Sequence, residues 1–179
     1  MRGVGEATGF FQVVRVRHSI RAYADRPVAP EMLQAVLKAA NRAPSAGNLQ
    51  AYDIYVVAHR ATREALARAA GDQAFIARAP VALVFCAHGA RSARKYGTRG
   101  KSLYSIQDAT IACAYAQLAA TALGLATVWV GAFDEEEVGR AIGAGRGHRP
   151  VAILPIGHAA APPEVTTRRS LENLVHYIR

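Results

Sequence analysis

Four short apolar segments along the chain have the composition of β-strands. Residues 53–58 are β-branched and aromatic, and residues 80–86 form a continuous apolar run, which is typical of a strand buried on both faces. Residues 126–130 and 149–157 are two further segments of this kind. Because a central strand disfavours proline, Pro155 is expected near the end of the last one. The pattern therefore predicts a small sheet.

Apolar residues at helical spacing separate these strands and predict surface helices. Three of these helices cover residues 10–17, 30–42 and 60–70, and another follows Asp134. Asp134 is a strong N-cap, and Glu137 stands at the spacing that completes a capping box.

The longest predicted helix runs from Ser105 to Leu123 and is almost entirely apolar after Asp108. A helix without a polar face must be covered on all sides, by the core or by a partner subunit. Residues 88–104, which precede it, are polar and contain glycine, so they are predicted to form a loop. Strands and helices in this mixed order predict an α+β or three-layer α/β domain.

Composition narrows the class of protein. With 179 residues, of which 51% are hydrophobic and 20% charged, the chain suits one globular domain rather than a disordered segment. No apolar run reaches the roughly 18 residues of a membrane span, so no membrane association is predicted. Residues 1–9 are glycine-rich and predicted to be flexible. They lack the apolar core of a secretory signal, which indicates a cytoplasmic protein.

Cysteine and charge patterns exclude further classes of function. Cys86 and Cys113 lie in apolar runs, which favours buried free thiols. No pair of cysteines or histidines has the spacing of metal ligands, so the sequence predicts no metal site. The net charge of +9 comes mostly from scattered arginines, with one dense region at 91–101. Because stacking aromatics are not interleaved with a basic cluster, no nucleic-acid partner is predicted.

Arg17, Ser19 and Arg21 alternate along the segment that follows the first predicted helix. In an extended backbone these positions point to one side. Two guanidinium groups and a hydroxyl can together satisfy three oxygens of a phosphate monoester. The alternative interpretation is an exposed basic helix terminus.

The segment Pro44–Gln50 is a loop rich in polar groups. Gly47 permits a left-handed backbone and a close approach to a ligand. Ser45, Asn48 and Gln50 offer a hydroxyl and two amides, and an amide can both donate and accept a hydrogen bond. Such groups suit the alternating edge of a pyrimidine-like ring. The alternative is a simple helix-ending turn.

Taken together in this order, these motifs resemble the FMN-dependent nitroreductase family. The resemblance covers roughly residues 10–177, and several ordered motifs are more specific than any one of them. The segments that carry it are 17–21, 44–50, 96–97, 103–109, 119–133, 149–157 and 168–171.

The resemblance implies a single domain over residues 10–179 with a three-layer α/β/α fold and a central mixed sheet. It also implies an obligate homodimer with FMN at the interface, in which the helix 105–123 is the central dimer helix. Members of the family use NADH or NADPH as the hydride donor. FMN carries the hydride chemistry, so no catalytic side chain is expected.

Carried over by position, the family's cofactor contacts fall into three groups. Residues 17–21 and the tail would hold the phosphate and ribityl chain, the 44–50 loop would come from the other subunit, and residues 130–132 would lie against the ring. His18 stands where an arginine is frequent in the family. The expected FMN-binding residues are Arg17, His18, Ser19, Arg21, Pro44, Ser45, Asn48, Gln50, Val130, Gly131, Arg168 and Arg169; Tyr96 and Tyr104 are expected to contact substrate.

The activity implied by the resemblance is an NAD(P)H-driven, ping-pong reduction of a small oxidant, which could be a nitroaromatic, a quinone or a flavin. Two alternatives stay open. One is a flavoenzyme of the same fold that catalyses dehydrogenation, dehalogenation or flavin fragmentation. The other is a flavin-binding protein without catalytic activity.

Overall fold

A four-stranded sheet forms the centre of the computed structural model, which describes residues 9–164 and 166–178. In chain order the strands are β1 (Tyr52–Val57), β2 (Val81–His88), β3 (Ala126–Thr127) and β4 (His148–Gly157). They lie side by side in the order β1-β2-β4-β3, and every pairing between them is antiparallel. All four predicted strands are confirmed.

The prediction of a flexible N-terminus over residues 1–9 lies outside the described residues except for Gly9.

The third strand is shorter than predicted and has a parallel neighbour. It ends at Thr127, and Val130 makes a separate antiparallel bridge to Ile153. Thr127 also forms a parallel bridge with Ser19, in the segment that follows the first helix. Within the described residues, this bridge is the parallel part of the predicted mixed sheet.

Seven α-helices surround the sheet in the described part of the chain. None of them is long and apolar enough to cross a membrane. They are α1 (Phe10–Val16), α2 (Pro30–Asn41), α3 (Arg60–Ala69), α4 (Phe75–Arg78), α5 (Gly89–Arg99), α6 (Ser105–Ala122) and α7 (Glu135–Ile142). Short 3₁₀ turns cover Ala46–Asn48 and Leu171–Asn173, and a π turn covers Gly100–Tyr104.

Each face of the sheet packs against its own group of helices. Leu83 and Phe85 of β2 belong to one buried cluster with α2 and α6, whereas Val84 of the same strand belongs to a second cluster with α3, α4 and α7. Because successive strand residues point to opposite faces, β2 is buried on both. The predicted three-layer α+β fold is therefore confirmed.

The central helix α6 occupies nearly the range predicted for it. Its buried positions toward the sheet are mostly alanines, which allow the helix to lie close to its neighbours. The single chain covers it incompletely, since Tyr115 and Leu123 stay exposed. Apolar residues of α1 and of the C-terminal tail are exposed as well: Phe10, Phe11, Val14, Val16, Leu171, Leu174, Tyr177 and Ile178.

The prediction of a loop over residues 88–104 is wrong, because this segment is helical. It forms α5 and the π turn that leads directly into α6. The segment buries only small residues such as Ser92 and Gly100, so it lacks the apolar periodicity by which sequence analysis detects a helix. Gly100 is required there, since a Cβ would lie 2.7 Å from the backbone oxygen of Ser92.

The N-cap predicted at Asp134 is confirmed, but the second half of the capping box does not form. The backbone N–H of Glu137 donates to Asp134 Oδ1 at 2.9 Å. The backbone N–H of Asp134 donates instead to the carbonyl of Ala69 at 2.8 Å, which ties the start of α7 to the end of α3.

Both thiols are expected to resist modification in the native protein. Burial raises the pKa of Cys86 to about 12 and raises that of Cys113 well above its ordinary value, so neither is a thiolate at pH 8. A disulfide reagent such as DTNB should therefore label no cysteine in native protein at pH 8 and two in urea. Rapid labelling of either thiol in the native state would contradict this assignment of the core.

Candidate functional site

The segment that carries Arg17, Ser19 and Arg21 is extended and lies along the sheet. Arg17 ends α1 with extended dihedral angles, and the N–H of Ile20 donates to the carbonyl of Thr127 at 2.9 Å. Ser19 and Arg21 are exposed, and the Arg21 guanidinium lies 5.8 Å from the ring centroid of Phe75. The segment therefore presents a hydroxyl and two cations beside the edge of β3.

Two buried polar atoms near this segment have no hydrogen-bond partner among the described residues. They are Nδ1 of His18 and Oγ1 of Thr127, and Thr127 is only 2% exposed. Buried polar atoms are nearly always paired, so two orphans on bridged segments indicate groups that are available to a bound polar molecule.

The 44–50 loop is a strained and internally hydrogen-bonded structure. The hydroxyl of Ser45 accepts from the backbone N–H and from the side-chain amide of Gln50, each at 3.0 Å. Gly47, Asn48 and Gln50 have φ angles of 58°, 57° and 43°. Left-handed backbone at residues other than glycine is uncommon and concentrates at ligand sites. Pro44 stands exposed at the start of this loop.

Asp108 of α6 holds the loop from the core side. Its carboxylate is 2% exposed and accepts from the N–H of Ala46 at 2.8 Å and from the N–H of Ala51 at 3.3 Å. One buried charge thus anchors both ends of the strained segment. In the sequence, Asp108 is a single carboxylate in an otherwise apolar helix. No function was predicted for it.

Arg91 of α5 holds the same loop from the opposite side. Its guanidinium donates to the carbonyls of Gln50 and Tyr52 and to the carboxylate of Asp53 at 3.2 Å. Sequence analysis missed this contact because it predicted a loop where α5 lies.

An open pocket of about 560 Å³ separates the loop from the first turns of α6. Tyr104, expected to contact substrate, forms part of its wall. Apolar atoms form most of the pocket surface. The lining residues are Pro44, Ser45, Ala46, Tyr104, Ile106, Gln107, Asp108, Thr110 and Ile111.

Tyr96 joins the same region by packing on both Tyr104 and the loop. The two tyrosine rings meet edge to face, with centroids 5.2 Å apart. A Cβ at Gly47 would collide with the Tyr96 hydroxyl and would lie 2.8 Å from Nζ of Lys95. The missing side chain of Gly47 therefore lets Lys95 and Tyr96 lie directly over the loop.

Gly131 lines a neighbouring pocket of about 270 Å³. Ile106 contributes to both pockets, so the Gly131 pocket adjoins the one beside the loop. Val130 has its side chain in the core, and its N–H and C=O both bond to Ile153 at 2.9 Å. Val130 therefore offers no side chain to either pocket, whereas Gly131 leaves backbone accessible.

Two tyrosines, the buried Tyr52 and the half-buried Tyr23, brace the framework around these motifs. Burial and the nearby Asp108 carboxylate raise the pKa of Tyr52, whose hydroxyl donates to the carbonyl of Ala40 at 3.2 Å. Burial likewise raises the pKa of Tyr23, which donates to the carbonyl of Pro155. Both remain neutral hydrogen-bond donors at physiological pH.

The tail arginines stand apart from the other predicted residues. Arg168 and Arg169 are exposed, and the Arg168 guanidinium bonds only to Thr166 and Thr167 among the described residues. One chain thus brings together the 44–50 loop, Tyr96, Tyr104 and Gly131. Among the described residues, no hydrogen bond or ion pair links Arg168 or Arg169 to the segment 17–21.

Comparison with a solved structure supports the same arrangement of elements. The chain superposes on the NADPH:FMN oxidoreductase of Vibrio harveyi, solved in complex with NAD⁺, with a TM-score of 0.87 and 26% sequence identity. The match covers 95% of this chain and 77% of that protein.

Curated relatives are similar over most of the chain. An NADH dehydrogenase of Thermus thermophilus is 31% identical, with 89% of this chain and 91% of that protein covered. An FMN reductase [NAD(P)H] of Bacillus subtilis is 34% identical over 79% of this chain, which spans only 62% of that longer relative.

The model of the nitroreductase family matches residues 14–75 and 66–158, which include the segment 17–21, the 44–50 loop, both tyrosines and Gly131. The resemblance recognised from the sequence motifs is therefore confirmed, and the chain belongs to the nitroreductase family.

Proposed function

We propose that this protein is a homodimeric, FMN-dependent oxidoreductase that uses NADH or NADPH to reduce a small oxidant such as a nitroaromatic, a quinone or a flavin. The observation that carries the proposal is the strained, amide-rich 44–50 loop, which Asp108 and Arg91 hold beside an open pocket. The names of the similar proteins support the chemistry, since they include an FMN reductase and an NADPH:FMN oxidoreductase.

The groups present fit FMN. A phosphate needs cations and hydroxyls, which Arg17, Ser19 and Arg21 offer on an extended segment. The unpartnered atoms of His18 and Thr127 can bond to phosphate or ribityl oxygens. The amides of Asn48 and Gln50 suit the donor and acceptor edge of the flavin ring.

When bound, FMN would supply the hydride-transfer chemistry that links the nicotinamide to the oxidant. The protein would bind the flavin, orient it and shield it from water. Asp108 and Arg91 hold the backbone of the loop in place before the cofactor binds. The exposed backbone at Gly131 permits close approach of a flat ring. Tyr104 lines the pocket and Tyr96 packs against Tyr104, and both would contact the substrate.

The homodimer is supported by the apolar surface that one chain leaves exposed. Phe10 is 64% exposed, Leu171 is 74% exposed and Tyr177 is 85% exposed. Soluble monomers rarely expose so many large apolar side chains on connected elements. A partner subunit would cover α1, the tail and the exposed side of α6, and would bring Arg168 and Arg169 to a phosphate that one chain leaves incompletely bound.

The proposed activity also suggests where in the cell the protein acts. NADH and NADPH are reductants of the cytoplasm, so we place the protein there, with small molecules and its own second copy as partners. No nucleic-acid or membrane partner is part of the proposal.

Steady-state kinetics test this function with the FMN-loaded protein. Since one open pocket serves both substrates in turn, the reaction should be ping-pong. Double-reciprocal plots at several quinone concentrations should give parallel lines. Intersecting lines, which report a ternary complex, would contradict the shared pocket while leaving FMN binding intact.

Gly47→Ala tests whether the loop and Tyr96 act together on the cofactor. The left-handed φ alone should lower the free energy of unfolding by about 1 kcal/mol. The matched control is Gly124→Ala, which has a φ of 73° and open space around its Cβ position. Gly124→Ala should lose about this much stability and Gly47→Ala at least as much, but only Gly47→Ala should weaken FMN binding and raise KM for the oxidant. Equal FMN affinity in the two variants would contradict the role of this contact.

A further inference from the structure

A separate polar cluster lies at one end of the sheet and includes none of the residues that line the two pockets. It consists of Asp53 on β1, His88 at the end of β2 and His148 at the start of β4. His88 and His148 are direct cross-strand partners, and Asp53 pairs with Cys86, two residues before His88. Because alternate strand residues share a face, all three side chains project from the same side of the sheet.

The distances within this cluster suit a shared metal ion. Nε2 of His148 and Oδ2 of Asp53 are 3.5 Å apart, and one ligand atom from each of the three residues lies within 4.8 Å of the others. Zinc bonds of about 2.0–2.2 Å in a tetrahedron place two ligand atoms about 3.4 Å apart. The Asp53–His148 pair therefore has nearly this separation already, and the ligand atom of His88, within 4.8 Å of the others, would have to move closer to them.

Neighbouring groups orient the ligand atoms of Asp53 and His148. The hydroxyl of Tyr55 lies 2.7 Å from Nδ1 of His148, so Nδ1–H can donate to it and leave the lone pair of Nε2 directed at Asp53. Nη2 of Arg91 donates to both oxygens of Asp53, to Oδ1 at 3.2 Å and to Oδ2 at 3.4 Å, and a carboxylate oxygen keeps a further lone pair for a metal. His88 accepts the N–H of Arg91 at 3.2 Å through Nδ1, a bond it would give up when Nε2 binds a metal.

We propose that Asp53, His88 and His148 bind one divalent transition-metal ion of the zinc class. Two imidazoles and one carboxylate favour Zn²⁺, Co²⁺ or Ni²⁺ over Ca²⁺ and Mg²⁺, which prefer oxygen ligands. Water takes the fourth position, because three protein ligands leave it open. The side chains of Asp53 and His148 are 34% and 19% exposed, so an ion can enter from solvent.

The ion would join β1, β2 and β4 at the end of the sheet. Motif spacing could not predict this site, because its ligands come from three strands that are far apart in the sequence. None of the three residues belongs to the expected FMN contacts, although Arg91 bonds both to Asp53 and to the 44–50 loop.

Calorimetric titration of Zn²⁺ into the FMN-loaded, untagged full chain tests the proposal, with equilibrium dialysis and metal analysis for the stoichiometry. Wild-type protein should bind one equivalent and melt at a higher temperature in the presence of Zn²⁺. His148→Gln and, separately, Asp53→Asn should lower the affinity by about tenfold or more. The matched control is His59→Gln, an exposed histidine outside the cluster, which should bind Zn²⁺ like wild type.

Two results would overturn the proposal. One is the absence of saturable Zn²⁺ uptake by wild-type protein, which needs no variant to fold. The other is unchanged affinity in both His148→Gln and Asp53→Asn. A normal flavin spectrum in each sample separates loss of the metal from loss of the FMN site.

Discussion

Asp108→Ala is expected to lower the free energy of unfolding by about 2–4 kcal/mol, because two backbone N–H groups lose their charged acceptor. The N–H of Ala51 is buried and cannot bond to water instead, while that of Ala46 is half-exposed and recovers part of its loss. Urea denaturation at fixed pH, without FMN, measures the change.

The same variant should weaken FMN binding, since the left-handed backbone of the 44–50 loop is held in place by this carboxylate. Asp108→Asn keeps the side-chain size but replaces one acceptor with a donor that faces an N–H. Its stability and its FMN affinity should therefore lie between those of wild type and Asp108→Ala. Gln107→Ala, on the exposed neighbouring position of α6, is the control for stability. A loss below about 0.5 kcal/mol, the range of ordinary surface substitutions, would show that Asp108 does not anchor the loop.

Arg21→Ala and Arg169→Ala are each expected to weaken FMN binding by about 1.5–3 kcal/mol, the contribution of a charged hydrogen bond. This corresponds to roughly a 10- to 150-fold rise in Kd. Fluorescence titration of the apoprotein with FMN measures it. Neither side chain is buried, so the free energy of unfolding without FMN should change little.

Arg68→Ala is the matched control, since Arg68 is an exposed arginine on α3 outside the proposed site. It should bind FMN like wild type, which separates a specific phosphate contact from a general effect of net charge. Unchanged affinity in both Arg21→Ala and Arg169→Ala would reject the phosphate assignment, while the loop assignment would stand on the Asp108 result.

The elements that could be predicted from the sequence are those whose burial produces a recognisable pattern of apolar residues. The continuous apolar run of β2 and the nearly uniform apolarity of α6 predicted their positions within a residue or two, because β2 is buried on both faces and α6 packs one side against the sheet. The polar helix α5 was missed for the opposite reason. Its outer surface faces solvent and its inner surface uses small residues, so no apolar period marks it.

The motifs of the candidate site could be predicted from the sequence, but the contacts that hold them together could not. The strained dihedral angles of Asn48 and Gln50 depend on Asp108 and Arg91, which act from helices distant in the sequence. Val130 was assigned to the cofactor, yet its side chain lies in the core and only the adjacent Gly131 is accessible. In the proposed dimer, the tail arginines would reach a phosphate only through a second subunit, and local sequence motifs do not encode such a geometry.

The most direct measurement of the central claim is anaerobic stopped-flow absorbance of the FMN-loaded protein mixed with NADPH and, separately, with NADH. At least one nicotinamide is expected to abolish the oxidised-flavin absorbance, and a quinone added afterwards is expected to restore it. Protein that retains FMN but is bleached by neither nicotinamide would contradict the proposed activity. Protein that takes up no FMN would contradict the cofactor as well.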